Sequence, residues 1–167
     1  LPAVDLWYGP DEMFGQLGAP QRWINILGNV SDYDGIASLS YALNGGRAVP
    51  LVTGPGNPRL IAAGDFNIEM ACNDLVNGQN QVVLTVTDRL GNITAKTVNV
   101  QVRKGVVWPM PNVVTWSPAA SIQQVAQIVD GKWAVEQNRI RTKAVGYDRL
   151  IAIGDTAALD GSVKDDG

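Results

Sequence analysis

From residue 80 the chain reads NQVVLTVTD, and its side chains alternate: Val82, Leu84 and Val86 share one face, Val83, Thr85 and Thr87 the other. After Asp88-Arg89-Leu90-Gly91-Asn92 a second run, ITAKTVNVQV, has Val98, Val100 and Val102 in step. Asp88 suits the first position of a type I turn, and Gly91 can take the left-handed conformation that closes such a hairpin with a bulge. Ile93 and Ala95 fall on the opposite parity to the three valines, which predicts a bulge or face change near Lys96–Thr97.

The same pattern recurs upstream. WINILGNV places Ile24, Ile26 and Val30 on one face, and IASLSYAL sets Leu39, Tyr41 and Leu43 against Ser38, Ser40 and Ala42. Asn44-Gly45-Gly46 is a strong hairpin signal, and Pro50 in RAVPLV marks an edge strand. DFNIEM predicts Phe66, Ile68 and Met70 inward with Asp65, Asn67 and Glu69 outward, and AVDLWY supplies a first strand. About seven short strands thus fall within roughly the first hundred residues, the spacing of a two-sheet sandwich.

NVSDYDGIASLSYALNGG, GDFNIEM and DLVNGQNQVVLTVTDRLGNITAKTVNV together resemble a bacterial immunoglobulin-like domain of the cadherin/fibronectin-III type, over about residues 3–103. The L..G.N.V.l.v.D..GN pattern before the last strand is the most specific part. The antibody-type Cys…Trp…Cys spacing is absent. The resemblance implies an immunoglobulin-like sandwich at residues 1–103 and says little of function.

Residues 104–112, KGVVWPMPN, read as a linker. Residues 113–167 form a β-rich segment in which VVTWSP, AQIVDGKWAVEQNRIRTKAV and YDRLIAIGD are strand-like. Asp130-Gly131-Lys132-Trp133 is a turn into a strand. SIQQVAQIVDGKWAV also fits a short helix with Ser121 as its N-cap. The β-branched Ile128, Val129 and Val135 favour strand from Ala126 onward, and a single turn at 121–125 fits both readings. Residues 113–155 resemble the opening strands of a concanavalin-like (LamG-type) jelly roll. A closed jelly roll needs more than about 100 residues. This segment is therefore expected to pack on the sandwich, to pair with another chain, or to belong to a longer parent. The fold class is all-β, an immunoglobulin-like sandwich plus a partial β-rich C-terminal region.

Composition narrows the function. With 16 acidic and 13 basic residues the net charge is −3, which gives a phosphate backbone no general attraction. The chain has no histidine and one cysteine, Cys72, which excludes Cys/His zinc sites, histidine-dependent nucleophile systems and an internal disulfide. Cys72 is expected to be a small core residue. No apolar run approaches the ~20 residues of a membrane-spanning helix. A chain opening on Leu1 is expected to be a processed or trimmed product.

Three constellations remain. Asp32 and Asp34 in SDYDG, with Asp88 and Asn92 in DRLGN, come from loops at one pole of a sandwich, and oxygen ligands from two loops are what calcium requires. The same residues also serve as local Asx-turns. Trp7 and Trp133 are candidates for stacking on a glycan, while Trp108 and Trp116 suit a plug between the two regions. Asp130, Glu136, Asp148 and Asp155 offer a carboxylate pair for glycoside hydrolysis, but half a sandwich frames no cleft, and no catalytic residue or other cofactor is expected. Unpaired strand edges suit addition of a strand from another molecule. The expectation is a non-catalytic structural or adhesive module, a spacer or assembly unit of a bacterial surface or secreted protein. Its partners would be other domains of the parent chain or identical subunits. The alternative is a carbohydrate-binding accessory region of a polysaccharide-active enzyme.

Overall fold

The computed structural model describes residues 1–107 and 121–153. The first part holds eight strands: β1 (Ala3–Leu6), β2 (Asp11–Phe14), β3 (Trp23–Ser31), β4 (Ile36–Leu43), β5 (Val49–Pro50), β6 (Asp65–Ala71), β7 (Gly78–Asp88) and β8 (Ile93–Val102). They divide into a three-stranded sheet in the order β1-β3-β6 and a five-stranded sheet in the order β2-β8-β7-β4-β5. All neighbours are antiparallel except β2, which runs parallel to β8. The chain therefore crosses between sheets after β1, a two-layer arrangement of immunoglobulin type.

Alternation produces the core. Ile24, Ile26 and Val30 of β3 and Phe66, Ile68 and Met70 of β6 face Val82, Leu84 and Val86 of β7 and Val98, Val100 and Val102 of β8, all buried in one cluster with Leu39 and Phe14. Burying a side chain of this size is worth about 1.5–3 kcal/mol. Gly28 sits opposite Phe66 on the neighbouring strand, and a Cβ there would stand 2.6 Å from the phenyl ring. The glycine makes room for the largest side chain of its layer.

The hairpin at 88–92 forms as its residues predict. Gly91 N–H donates to Asp88 C=O, Gly91 has φ +86°, and Asp88 N–H donates to Asn92 C=O. Asn44 and Gly45 both have positive φ in the tight turn after β4, and Pro50 lies on the outermost strand. Two expectations need correction. No bulge interrupts β8: its pairing with β7 runs unbroken from Gly78–Val102 to Thr87–Ile93, and Ile93 simply faces solvent at 61% exposure. The first apolar run, AVDLWY, is strand only to Leu6, and the short β2 was not predicted, because its parallel pairing is made with residues ~90 positions away and leaves no periodicity in four residues.

The second part opens on a 3₁₀ turn, Ile122–Gln124, whose Ser121 cap accepts a hydrogen bond from Gln123 N–H. Then come β9 (Gln127–Asp130), β10 (Trp133–Glu136), β11 (Arg139–Thr142) and β12 (Leu150–Ala152). They form two separate ribbons, β10-β11 and β12-β9. These ribbons lie on the sandwich. On β3 the core takes Ile24 and Ile26, so Leu27 points to the other face of the three-stranded sheet, where it is buried with Ile122, Ala126 and Ile128. Trp7, Tyr8, Trp133 and Ile151 pack around this second, smaller cluster. Of the arrangements expected for this segment, packing on the sandwich is the one the structure contains. Trp108 and Trp116 lie outside the described residues.

Candidate functional site

The two acidic loops are neighbours, since Arg89 N–H donates to Gly35 C=O, but Asp88 and Asp32 commit oxygen atoms to their own turns. Asp88 Oδ1 accepts from Leu90 N–H at 2.9 Å and Asn92 N–H at 2.8 Å, and Oδ2 accepts from Asn92 Nδ2 at 2.7 Å. Burial alone would raise this carboxyl, yet the bonds from Asn92 and Leu90 outweigh it and hold the pKa below its ordinary value. Asp32 Oδ1 accepts from Asp34 N–H at 2.9 Å, an Asx-turn. Among the described residues no three Asp, Glu, Cys or His side chains are placed to hold a metal.

Trp7 and Trp133 both stand at the seam between sandwich and ribbons. The Trp7 ring meets Tyr147 edge-on at 5.4 Å between centroids and carries the Lys132 ammonium 4.4 Å from its centroid. Trp133 Nε1 donates to Asp130 C=O at 2.8 Å, closing the turn through Gly131. Trp7 and Trp133 thus line the junction between the two regions.

Sequence reasoning missed most of the seam, because its polar members carry no periodicity. Tyr8 Oη donates to Gly131 C=O at 2.5 Å and accepts from Trp133 N–H at 3.0 Å. Burial raises this phenol well above its ordinary value. Gln123 and Gln127 act as pegs. Gln123 Oε1 accepts from Met13 N–H and its Nε2 donates to Glu12 Oε2, while Gln127 Oε1 accepts from Gln21 N–H and its Nε2 donates to Trp23 C=O. Each amide satisfies backbone that the sheets leave unpaired. Glu12 is 2% exposed, and burial pushes its carboxyl up to about 8 against the hydrogen bond from Gln123. Its Oε1 has no hydrogen-bond partner among the described residues.

Two carboxylates of the second part, those of Asp130 and Glu136, are likewise engaged. Asp130 receives Arg59 Nε at 2.5 Å, and Arg59 Nη2 also reaches Glu69 Oε2 at 3.2 Å. Burial raises Asp130 more than Arg59 lowers it. Glu136 is paired with Lys143, which holds its pKa down. Asp148 N–H donates to Pro58 C=O, and Tyr147 Oη donates to Asp65 Oδ2 at 2.6 Å. Asp155 lies outside the described residues. No free carboxylate pair flanks a cleft among these groups.

No protein-family model matches the chain, and no curated protein matches it. Among the solved structures that share part of its course are the following two. An endo-β-1,4-mannanase from Thermotoga petrophila is similar at 11% identity and a TM-score of 0.46, over 62% of this chain and 20% of the mannanase. The fibronectin(III)-like modules of Clostridium thermocellum CbhA are similar at 16% identity and a TM-score of 0.40, over 61% of this chain and 98% of theirs. The chain spans a fifth of the mannanase's length. Among the described residues no helix is long and apolar enough to cross a membrane.

Proposed function

We propose that the chain is a non-catalytic structural or adhesive module, a spacer or assembly unit of a bacterial surface or secreted protein. One observation carries this reading. The side chains that would serve chemistry or stacking, Tyr8, Trp7, Trp133, Asp130 and Arg59, are spent on fastening the ribbons to the outer face of the three-stranded sheet. The product is a braced sandwich rather than a cleft. The five-stranded sheet ends on the short β2 and β5, with Pro50 blunting β5, so contacts to neighbouring domains or identical subunits fall to the edges of the three-stranded sheet, β1 and the longer β6.

Light scattering and a hydrolase screen test this together. The expected result is a species of fixed, low stoichiometry with no turnover of soluble polysaccharides. Turnover abolished by Asp130→Asn would overturn the reading. In the alternative, a carbohydrate-binding accessory region, the half-buried Trp7 and Trp133 would offer a glycan only the parts of their rings left outside the seam.

A further inference from the structure

The ribbons cover one outer face of the sandwich, and among the described residues the other outer face, that of the five-stranded sheet, is left uncovered. Its composition follows from alternation. With Val82, Leu84 and Val86 inside, β7 turns Gln81, Val83, Thr85 and Thr87 outward. With Val98 and Val100 inside, β8 presents Ala95, Thr97, Asn99 and Gln101, and β4 presents Ser38, Ser40 and Ala42. All are exposed or half-buried.

These positions form rows across the strands. Across β4, β7 and β8 the rows are Ser38-Thr87-Ile93, Ser40-Thr85-Ala95 and Ala42-Val83-Thr97. At one end Gln81, Asn99 and Asp11 line up, and Asn99 Nδ2 donates to Asp11 Oδ1 at 2.7 Å. Here Asn44, Gln79 and Gln81 join Asp11 and Asn99 in lining an open depression. Hydroxyls and amides dominate, apolar groups from Ala42 and Ala95 to Val83 and the exposed Ile93 are interspersed, and among the described residues of the face the one ionised side chain is Asp11 at the rim. The chain as a whole is 17% charged, and this face carries fewer charges still.

We propose that this face binds an uncharged polysaccharide laid across the strands. Charge complementarity selects the occupant. Without Lys or Arg the face gives no purchase to nucleic acid or to an anionic glycan. Without a buried aromatic or arginine anchor it lacks the side chains that dominate protein–protein interfaces, which disfavours a second copy of the chain. What remains is a neutral partner rich in hydroxyls, whose donors and acceptors match side-chain amides and hydroxyls and whose C–H surfaces rest on Val83, Ala42 and Ala95. Each neutral hydrogen bond contributes little alone, so binding depends on repetition along an extended chain. This face is separate from the seam, and its occupancy is independent of the spacer reading.

Depletion of the full chain from solution by microcrystalline cellulose and by granular starch, with polygalacturonate gel as the anionic probe, tests the proposal. Retention on a neutral solid, absent on the gel, is expected. Thr85→Glu and Gln81→Lys each introduce a charge at an accessible outward position and are expected to weaken retention about tenfold or more, with an unchanged circular dichroism spectrum. Retention on neither neutral solid, or equal retention by folded variants, overturns it. So does light scattering in which those variants convert a dimer to a monomer, since the face would then be a self-association surface.

Discussion

The sandwich and the ribbons are both β structure, yet they are held by different means. In the sandwich, opposing strands supply aliphatic side chains at every second position, and Ile24, Ile26, Val82, Leu84, Val98 and Val100 are all fully buried. In the ribbons the buried apolar set is Ile122, Ala126 and Ile128 against a single sandwich residue, Leu27, and polar groups provide the rest: Tyr8, Gln123, Gln127 and the Arg59–Asp130 pair. Two-stranded ribbons are marginal in isolation. The ribbons are therefore expected to borrow their order from the sandwich. A polar fastening is also directional, which fixes where the ribbons sit without adding a second large core.

The most damaging test of this contrast strikes the sandwich. Phe66→Ala removes the ring that covers Gly28 and should cost about 3–5 kcal/mol. Chemical denaturation followed by far-ultraviolet circular dichroism should show the whole transition moving. Ile128→Ala removes a side chain as deeply buried, but from the smaller cluster. It should open the ribbons to limited proteolysis while the sandwich transition stays within about 1 kcal/mol of the parent, because the damage is local. A global shift as large as that of Phe66→Ala would show the two regions to be one cooperative unit.

Glu12 offers a reversible way to separate the regions. Its pKa is raised by burial from 4.5 to about 8, so the folded state holds a proton that the unfolded state has already lost. The resulting stability is fully present below about pH 4.5 and is lost as pH rises toward 8. The penalty, a few kcal/mol, can be escaped by lifting Gln123 off the carboxyl, and Gln123 belongs to the ribbons. Alkaline pH should therefore loosen the ribbons first. Tryptophan fluorescence from Trp7 and Trp133 should change with a midpoint near pH 8, and Glu12→Gln should flatten that change. A pH response kept by the variant would assign it elsewhere.

Tyr8→Phe is a milder cut. It deletes one hydroxyl that both donates to Gly131 C=O and accepts from Trp133 N–H. The expected loss is about 1–3 kcal/mol, felt as faster hydrogen exchange at Trp133 and through β9, with exchange in β7 and β8 unaltered.

The same contrast explains what was legible in the sequence. Period-two alternation is strong where both faces of a strand differ in burial, so β3, β4, β6, β7 and β8 were readable, and Asp88 and Gly91 announced their turn. β3 also carried a misleading element, since Leu27 broke the alternation because it faces a second, smaller cluster. The seam was opaque. Gln123 and Gln127 look like solvent-facing residues, and their pairing with strands more than 100 positions away is set by tertiary packing alone. Glu12 in DEMF reads as an exposed acid, and nothing local signals its burial. Trp7 and Trp133 were visible as unusual aromatics, but their orientation depends on Lys132, Tyr147 and Tyr8 coming from three different parts of the chain.

The smallest effect is expected from calcium. A cation held between Asp32, Asp34, Asp88 and Asn92 would need free oxygens aimed at one point. Asp88 instead accepts three hydrogen bonds from its own turn, and Asp32 Oδ1 is taken by Asp34 N–H. Recruiting them would break the bonds that close the β7–β8 hairpin and hold the Asp88 carboxyl below its ordinary pKa. Ligand at 100 times its dissociation constant stabilises a fold by about 2.7 kcal/mol, and each kcal/mol moves the midpoint of a small domain by roughly 2–8 °C. Melting curves in millimolar calcium and in excess chelator should instead superimpose to within about 1 °C, a fraction of that shift. A clear upward displacement with calcium, abolished by Asp34→Asn, would mean that the pole of the sandwich rearranges on binding, and would make the loops, rather than the seam, the part of the molecule that responds to its surroundings.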